Sequence, residues 1–351
     1  VKHVETDPES GAEIHQLTEE DHPADNIYGE QPYTSPDGGR IAVRHYPAGD
    51  ADGGLSVLDL EDGSLHPVLV KMPRFPAFHA WGDYLYYQEA EGDALLLKRC
   101  HYRTLRKETV IALPTEEGRF SYGTVSGDHR FYAASVHRED KSCQVLLVDL
   151  ADGSRRTLAD TDYWHFKHEQ FSLDGRNRVL IQANSPDVRE VRLGTMEVGG
   201  EGVAWLAADR PHTPRPTGHE AWIGRSSRVF FSTAFDESRG TNVWTAGVGD
   251  PAPAVACRTP THFGHVSVSR CGRFWVADAT GEEGIPLYVG SLGSGICRRL
   301  VYSRTAHDGE QWSHTHPYLM AGNRWLIFTS NRSGPPQVYR ARVPEAFLES
   351  L

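Results

Sequence analysis

Seven times along this 351-residue chain a small polar turn leads at once into a short alternating or aromatic-rich strand. The turns are Ser35-Pro36-Asp37-Gly38, Trp81-Gly82-Asp83, Ser126-Gly127-Asp128, Ser172-Leu173-Asp174-Gly175, Gly224 to Ser227, Ser269-Arg270-Cys271-Gly272 and Ala321-Gly322-Asn323. The strands behind them begin near Ile41, Tyr84, Arg130, Val179, Val229, Phe274 and Trp325. A spacing of roughly 45 to 50 residues is the period of a four-stranded propeller blade. The repeat therefore predicts an all-β chain, a seven-bladed β-propeller occupying residues 1–351 as a single domain. Second strands such as Val145 to Leu150 and Leu287 to Ser291, and hairpin turns such as Glu61-Asp62-Gly63-Ser64, fit the same unit. Blade seven, counted from His316 to Arg342, lacks an outer strand, and the strand-like piece Ala12 to Leu17 is predicted to supply it. Such a closure pairs the two chain ends and removes an open edge.

Composition narrows the function. Charged residues make up 24% and hydrophobic ones 39%, which is ample for a buried core. A net charge of -11 excludes the broad basic surface that nucleic acid needs, so an anionic ligand must meet a local cationic site. No apolar run is long enough to span a membrane. Val1 to Ser10 is polar, without an apolar signal core, which points to a cytoplasmic chain; export stays open if a leader was trimmed ahead of Val1. The five cysteines are odd in number, widely spaced and free of any C-x-x-C pattern, and read as reduced bystanders. Nothing in the sequence sets the oligomeric state.

In a propeller the strand ahead of each polar turn is the innermost and lines the central channel. Structurally equivalent positions on these strands are Gln31, His168, His219, His265 and His316. Four of the five are histidine in a chain with 18 histidines, so they should converge at one mouth of the channel. Taken singly, each suits a hydrogen-bonded packing role. Taken together they form a ring, to which Gln311-Trp312-Ser313-His314-Thr315-His316-Pro317 adds more donors. Residues two apart in a strand project to the same side, so His314 and His316 are placed to share one ion. Imidazole suits first-row metals, and a carboxamide oxygen from Gln311 tilts the site towards a harder ion. Neutral ligands leave a divalent ion its full charge, which would polarise a carboxylate strongly.

That run, together with Gly218-His219-Glu220-Ala221-Trp222, with His265-Val266-Ser267-Val268-Ser269 and Val276-Ala277-Asp278, and with the ending Phe328-Thr329-Ser330 through Pro344-Glu345, resembles oligogalacturonate lyase, polysaccharide lyase family 22. The opening Asp7-Pro8-Glu9-Ser10-Gly11 with Leu17-Thr18 is similar to the start of that family. The resemblance spans nearly the whole chain and is most specific towards its C-terminal part. It implies a seven-bladed propeller that holds Mn2+, or another divalent first-row ion, on His265, Gln311, His314 and His316. It implies His219 as the proton-abstracting base, Arg189 as a substrate-binding arginine and His168 as an inner-strand histidine facing substrate. The partner implied is a uronate oligosaccharide, cleaved by β-elimination to an unsaturated uronide. A histidine base with an ordinary pKa of about 6.5 is largely neutral near pH 7, as that step requires. Glu220 and Asp278 are placed by proximity to accept the second N–H of neighbouring histidines.

Two stretches depart from the family. Its histidine, arginine and aromatic cluster in blade one is replaced by Asp25-Asn26-Ile27-Tyr28-Gly29-Glu30, and the loop after Asp278 shortens to Thr280 to Gly284. Both lie where a sugar could be read, which leaves the uronate glycan and its length open. The alternatives are a related lyase for another uronate-containing glycan and, from a different class, a non-catalytic propeller that binds a sugar or a protein.

Overall fold

The inner strands of this chain are cut short by its turn chemistry, and that sets the architecture. In the computed structural model, which describes residues 1–19, 21–47, 53–71, 75–306 and 310–351, the Ser-x-Asp-Gly turns are built alike. The Ser35 hydroxyl donates to Asp37 at 2.6 Å, Asp37 accepts the backbone N–H of Gly39 at 3.0 Å, and Ser35 accepts the N–H of Arg40 at 3.0 Å. Ser172 repeats the set with Asp174, Arg176 and Arg178. Gly38 and Gly175 sit at φ 73° and 79°, which a side chain would resist. Each turn reverses an inner strand into the next one, and seven antiparallel sheets result.

Strands two and three of a blade are covered on both faces by the neighbouring blades, so they read as continuous apolar runs. Cys143–Asp149 and Arg178–Asn184 are buried along their whole length, whereas the outer strand Arg155–Thr161 is mostly exposed. The core lies between blades: Ala133 and Val145 of blade three pack with Phe166, Val179 and Ile181 of blade four.

The ring closes as the sequence predicts. Glu13–Gln16 pairs antiparallel with Gln337–Arg342, with Ile14 opposite Ala341 and Gln16 opposite Tyr339. A further strand, Lys2–Thr6, adds to the outside of blade seven and makes it five-stranded, which the sequence reading did not anticipate. Blade one differs too. Its inner strand is Ala24–Asp25, and the stretch that starts at Gln31, read from the sequence as an inner-strand position, forms only a bridge from Thr34 to Ile41. In blade two the inner strand reduces to the isolated bridges Ala77 to Tyr86 and Phe78 to Thr124, just after Pro76, which has no N–H to donate. The helical elements named among the described residues are Glu345–Glu349 and the short 3-10 turns Thr115–Glu117 and Gln311–Ser313, and no helix among those residues is long and apolar enough to cross a membrane.

The inner strands are kinked at one level of the channel. Ile27, Gly123, His168, Gly218 and His316 all take positive φ, of 73°, 67°, 57°, 92° and 39°. Pairing registers shift between Lys167 and Gln170 and between Pro216 and Glu220. Bulges of this kind re-aim side chains, and here they turn the ring positions towards the axis.

Candidate metal centre and active site

Three imidazoles meet at the channel mouth. The possible ligand atoms of His265, His314 and His316 all lie within 4.8 Å of one another. The His265 ring centroid is 5.0 Å from that of His314 and 4.6 Å from that of His316. The predicted sharing of one side by His314 and His316 is realised without a paired strand. Gln311–Ser313 is a 3-10 turn, the strand proper starts at Tyr318, and between them the Thr329 N–H donates to the Thr315 carbonyl at 2.9 Å without a strand ladder forming. The Gln311 amide reaches the Nε2 of His316 at 3.1 Å.

Second contacts aim these rings. Asp278, fully buried on the adjacent strand, accepts the backbone N–H of His265 at 2.8 Å and its Nδ1–H at 2.7 Å, and the Thr315 hydroxyl donates to the same carboxylate. A carboxylate only accepts, so the proton sits on Nδ1 and the Nε2 lone pair faces the site, 3.2 Å from Nδ1 of His314. Burial pulls the His265 pKa down, but the Asp278 charge and hydrogen bond outweigh it and the net shift is upward. His316 is fully buried, and burial first, then the neighbouring His265, His314 and His219, hold its pKa well below the ordinary value, so it stays neutral. Its Nδ1 has no hydrogen-bond partner. Three neutral-capable imidazoles, one carboxamide and an orphaned buried nitrogen fit a divalent first-row ion.

His219 stands beside this group, its ring 4.7 Å from that of His265. Its Nδ1 meets Oε1 of Glu30 at 2.5 Å, across the channel from blade one. Tyr28 covers the same space, with its ring 4.7 Å from His316 and 5.6 Å from His168. Burial, then the charge of Glu30, raises the Tyr28 pKa well above its ordinary value, so the phenol stays protonated. His168 lies 3.4 Å from buried Glu220, whose two carboxylate oxygens lack hydrogen-bond partners. Of the two carboxylates expected to orient histidines, then, Asp278 takes the N–H of His265 and Glu220 faces His168. Gln31, the fifth ring position, turns away to Gln170 at 2.9 Å.

Arg189 is held apart from this cluster. It occupies the turn after Arg178–Asn184, is 87% exposed, and pairs with Asp187 at 3.2 Å. It lines a cleft of about 1160 Å³ with Arg192, Arg215 and Arg239, where Arg215 donates to the Val188 carbonyl at 2.6 Å. Because Asn184 pairs with His165, the Arg189 turn lies at the end of the blade where the inner strand His165–Phe171 begins. Sequence reasoning marked Asp25 to Glu30 as a stretch where a sugar could be read but gave Tyr28 and Glu30 no individual role, and it did not single out Arg215. Glu30 is invisible to any local pattern, because its partner lies 189 residues away on the opposite side of the ring.

No family model matches the chain. In sequence it is 21% identical over 303 residues to an oligogalacturonide lyase of Pectobacterium atrosepticum, covering 75% of this chain and 76% of that one. In structure it is similar to an oligogalacturonate lyase in complex with manganese, at TM-score 0.78 and 19% identity, covering 99% of this chain and 98% of the other. It is also similar to an oligogalacturonate lyase from Vibrio parahaemolyticus, at TM-score 0.74 and 18% identity, covering 99% and 100%. The chain thus resembles the oligogalacturonate lyases, in fold over essentially its full length and in sequence over three quarters of it.

Proposed function

We propose that this protein is a metal-dependent lyase that cleaves uronic-acid oligosaccharides, oligogalacturonate first among them, by β-elimination. The observation that carries the reading is the meeting of His265, His314, His316 and Gln311 beside a carboxylate-bound imidazole, His219, at one mouth of a lyase-like propeller. His265, His314, His316 and Gln311 would hold Mn2+, which when bound supplies positive charge to a uronate carboxylate. His219, its Nδ1–H given to Glu30, presents Nε2 as the base. The C5 proton passes to Nε2, the C5–H electron pair becomes the C4–C5 double bond, and the C4–O bond breaks with its electrons going to the departing sugar oxygen. That oxygen takes up a proton from solvent. Tyr28 walls the pocket and keeps bulk water from the base. His168 and Arg189 would take the next carboxylates of the oligomer along the face that leads to the cleft. The chain would act as one domain, residues 1–351, since its first and last strands seal the same blade.

Two variants separate the roles. His219→Ala should keep Mn2+ and lose turnover by about 10²- to 10⁴-fold. His314→Ala should lose Mn2+ and activity together. The measurement is bound metal alongside the ultraviolet absorbance of the unsaturated uronide, over a panel of uronate oligomers. Absence of that product with every metal-loaded uronate oligomer overturns the lyase reading.

A further inference from the structure

The blade-one segment Asp25 to Glu30 is wired to both halves of the site. Asn26 donates from its side-chain amide to the His316 carbonyl at 2.7 Å, and its backbone N–H donates to the Thr329 hydroxyl at 3.0 Å. Ile27 turns the chain at φ 73°, with its N–H held by Asp25 at 2.8 Å. Asp25 is itself fixed by buried Arg44 at 2.8 Å and by the Tyr46 hydroxyl at 2.9 Å. Tyr28 lies on His316, and Gly29 passes so close that a Cβ there would come within 2.9 Å of the Pro317 carbonyl. The next residue, Glu30, is fully buried in its side chain and ends 2.5 Å from His219. Its other oxygen has no hydrogen-bond partner. A buried carboxylate left half-satisfied costs stability, so its persistence here calls for a role beyond packing.

We propose that Glu30 is a positioning residue: it holds His219 in the Nδ1–H tautomer with Nε2 turned to the substrate, and the Asp25–Glu30 segment ties that base to the segment carrying His316. The assignment rests on the lyase reading of the same site. The reasoning is that of any carboxylate–imidazole pair. The carboxylate can only accept, which fixes the proton on Nδ1, and the fixed ring loses no entropy finding its angle during the reaction. The delivery of Glu30 from blade one to blade five also ties base geometry to His316, because Asn26, Tyr28 and Gly29 move with the strand they touch.

The test is Glu30→Gln, with two independent readouts on the full chain. The first is the tautomer of His219 by long-range 1H–15N correlation in protein loaded with diamagnetic Zn2+, with His219→Gln used to assign the signals. Wild type is expected to show Nδ1 protonated and Nε2 bare, and the variant, whose amide can donate as well as accept, a mixture of the two forms. The second is turnover of oligogalacturonate by the Mn2+-loaded variant, where kcat should fall about 10²-fold with KM and bound metal unchanged. An unchanged tautomer overturns the proposal whatever happens to kcat, and loss of metal or a rise in KM alone makes Glu30 merely structural and overturns it as well. Should wild type cleave no uronide while the tautomer still changes in Glu30→Gln, the pairing stands and the lyase reading is the part that fails. Glu30→Asp provides the check on folding: a carboxylate one methylene shorter should restore part of kcat, and a failure to restore any in a folded protein counts against positioning.

Discussion

Asp278→Asn removes one charge and no volume, and its consequences follow from three donors aimed at two oxygens. In the wild-type protein Oδ1 accepts the His265 backbone N–H, and Oδ2 accepts the His265 Nδ1–H and the Thr315 hydroxyl. An amide cannot serve both sides. With its NH2 towards the ring, it forces the His265 proton from Nδ1 onto Nε2, the nitrogen that faces His314 and the proposed ion. With its NH2 towards the backbone, it sets donor against donor in a fully buried place, at about 1–3 kcal/mol for the unsatisfied group. Either way His265 is a poorer ligand. The expected loss of Mn2+ affinity is about 10- to 100-fold, equivalent to about 1.4–2.8 kcal/mol. Titration of the metal-free protein with Mn2+, reading free ion by its electron paramagnetic resonance, gives Kd for wild type and variant, and urea unfolding of the metal-free forms gives the folding cost. A variant that binds Mn2+ as tightly as wild type would refute the idea that Asp278 sets the His265 tautomer.

Three other perturbations test separate parts of the structure. Gly29→Ala places a Cβ 2.9 Å from the Pro317 carbonyl oxygen and 3.0 Å from the His316 carbonyl carbon, so it should cost about 1–3 kcal/mol by thermal unfolding and weaken Mn2+ binding by displacing His316. His79 is buried in blade two, where burial first and then the charges of His129 and Arg99 pull its pKa down from 6.5 to about 4. The unfolded chain therefore binds this proton more readily than the folded one, and stability present above pH 6.5 is lost as pH falls towards 4, by about 3 kcal/mol over the window. Urea unfolding from pH 7 to 4.5 should show a shallower pH dependence in His79→Gln, and an equal slope in both proteins would exclude His79 as the cause. The thiols of Cys257 and Cys297 lie 3.3 Å apart and join neighbouring blades, so exchange with glutathione disulfide should yield an intramolecular disulfide and two reduced glutathiones. A link across 40 residues should stabilise the chain by about 4 kcal/mol, with a mass loss of two hydrogens that Cys257→Ser abolishes.

The fold was legible because its cues are local and repeated. A Ser-x-Asp-Gly turn satisfies its own hydrogen bonds within a few residues, so Ser35 and Ser172 announce the same structure wherever they occur. The closing pair Glu13–Gln16 with Gln337–Arg342 was legible for another reason: one blade was a strand short and one strand had no blade. The ring of histidines could be read from equivalent positions in successive repeats. What could not be read was contact between repeats. Glu30 meets His219 and Gln31 meets Gln170 across the channel, Asn26 meets His316 between the adjoining blades one and seven, and no periodicity encodes which side chains of different blades meet. Arg189 was singled out by resemblance to the lyases, whereas its neighbours Arg215 and Arg239 come from blade five and became visible only with the cleft.

The kinks explain why a strand-based reading of His314 and His316 reached the right convergence by the wrong route. Alternation along a regular strand would put both rings on one side, but the strand begins only at Tyr318, and His316 is at φ 39°, outside the β region. A non-glycine residue held there costs of order 1 kcal/mol or more, and it persists only where the surroundings over-determine it. Around His316 they do: Asn26 binds its carbonyl, Tyr28 lies on its ring, and Gly29 leaves no free space beside it. His168 takes the same left-handed turn at φ 57°, and Gly218 does so one residue ahead of His219. The bulged level of the ring is thus where backbone strain, orphaned polar atoms and convergent imidazoles coincide. Strain, unpaired groups and imidazoles meeting there suit the proposed lyase, in which an ion and a base would have to be held in fixed relation.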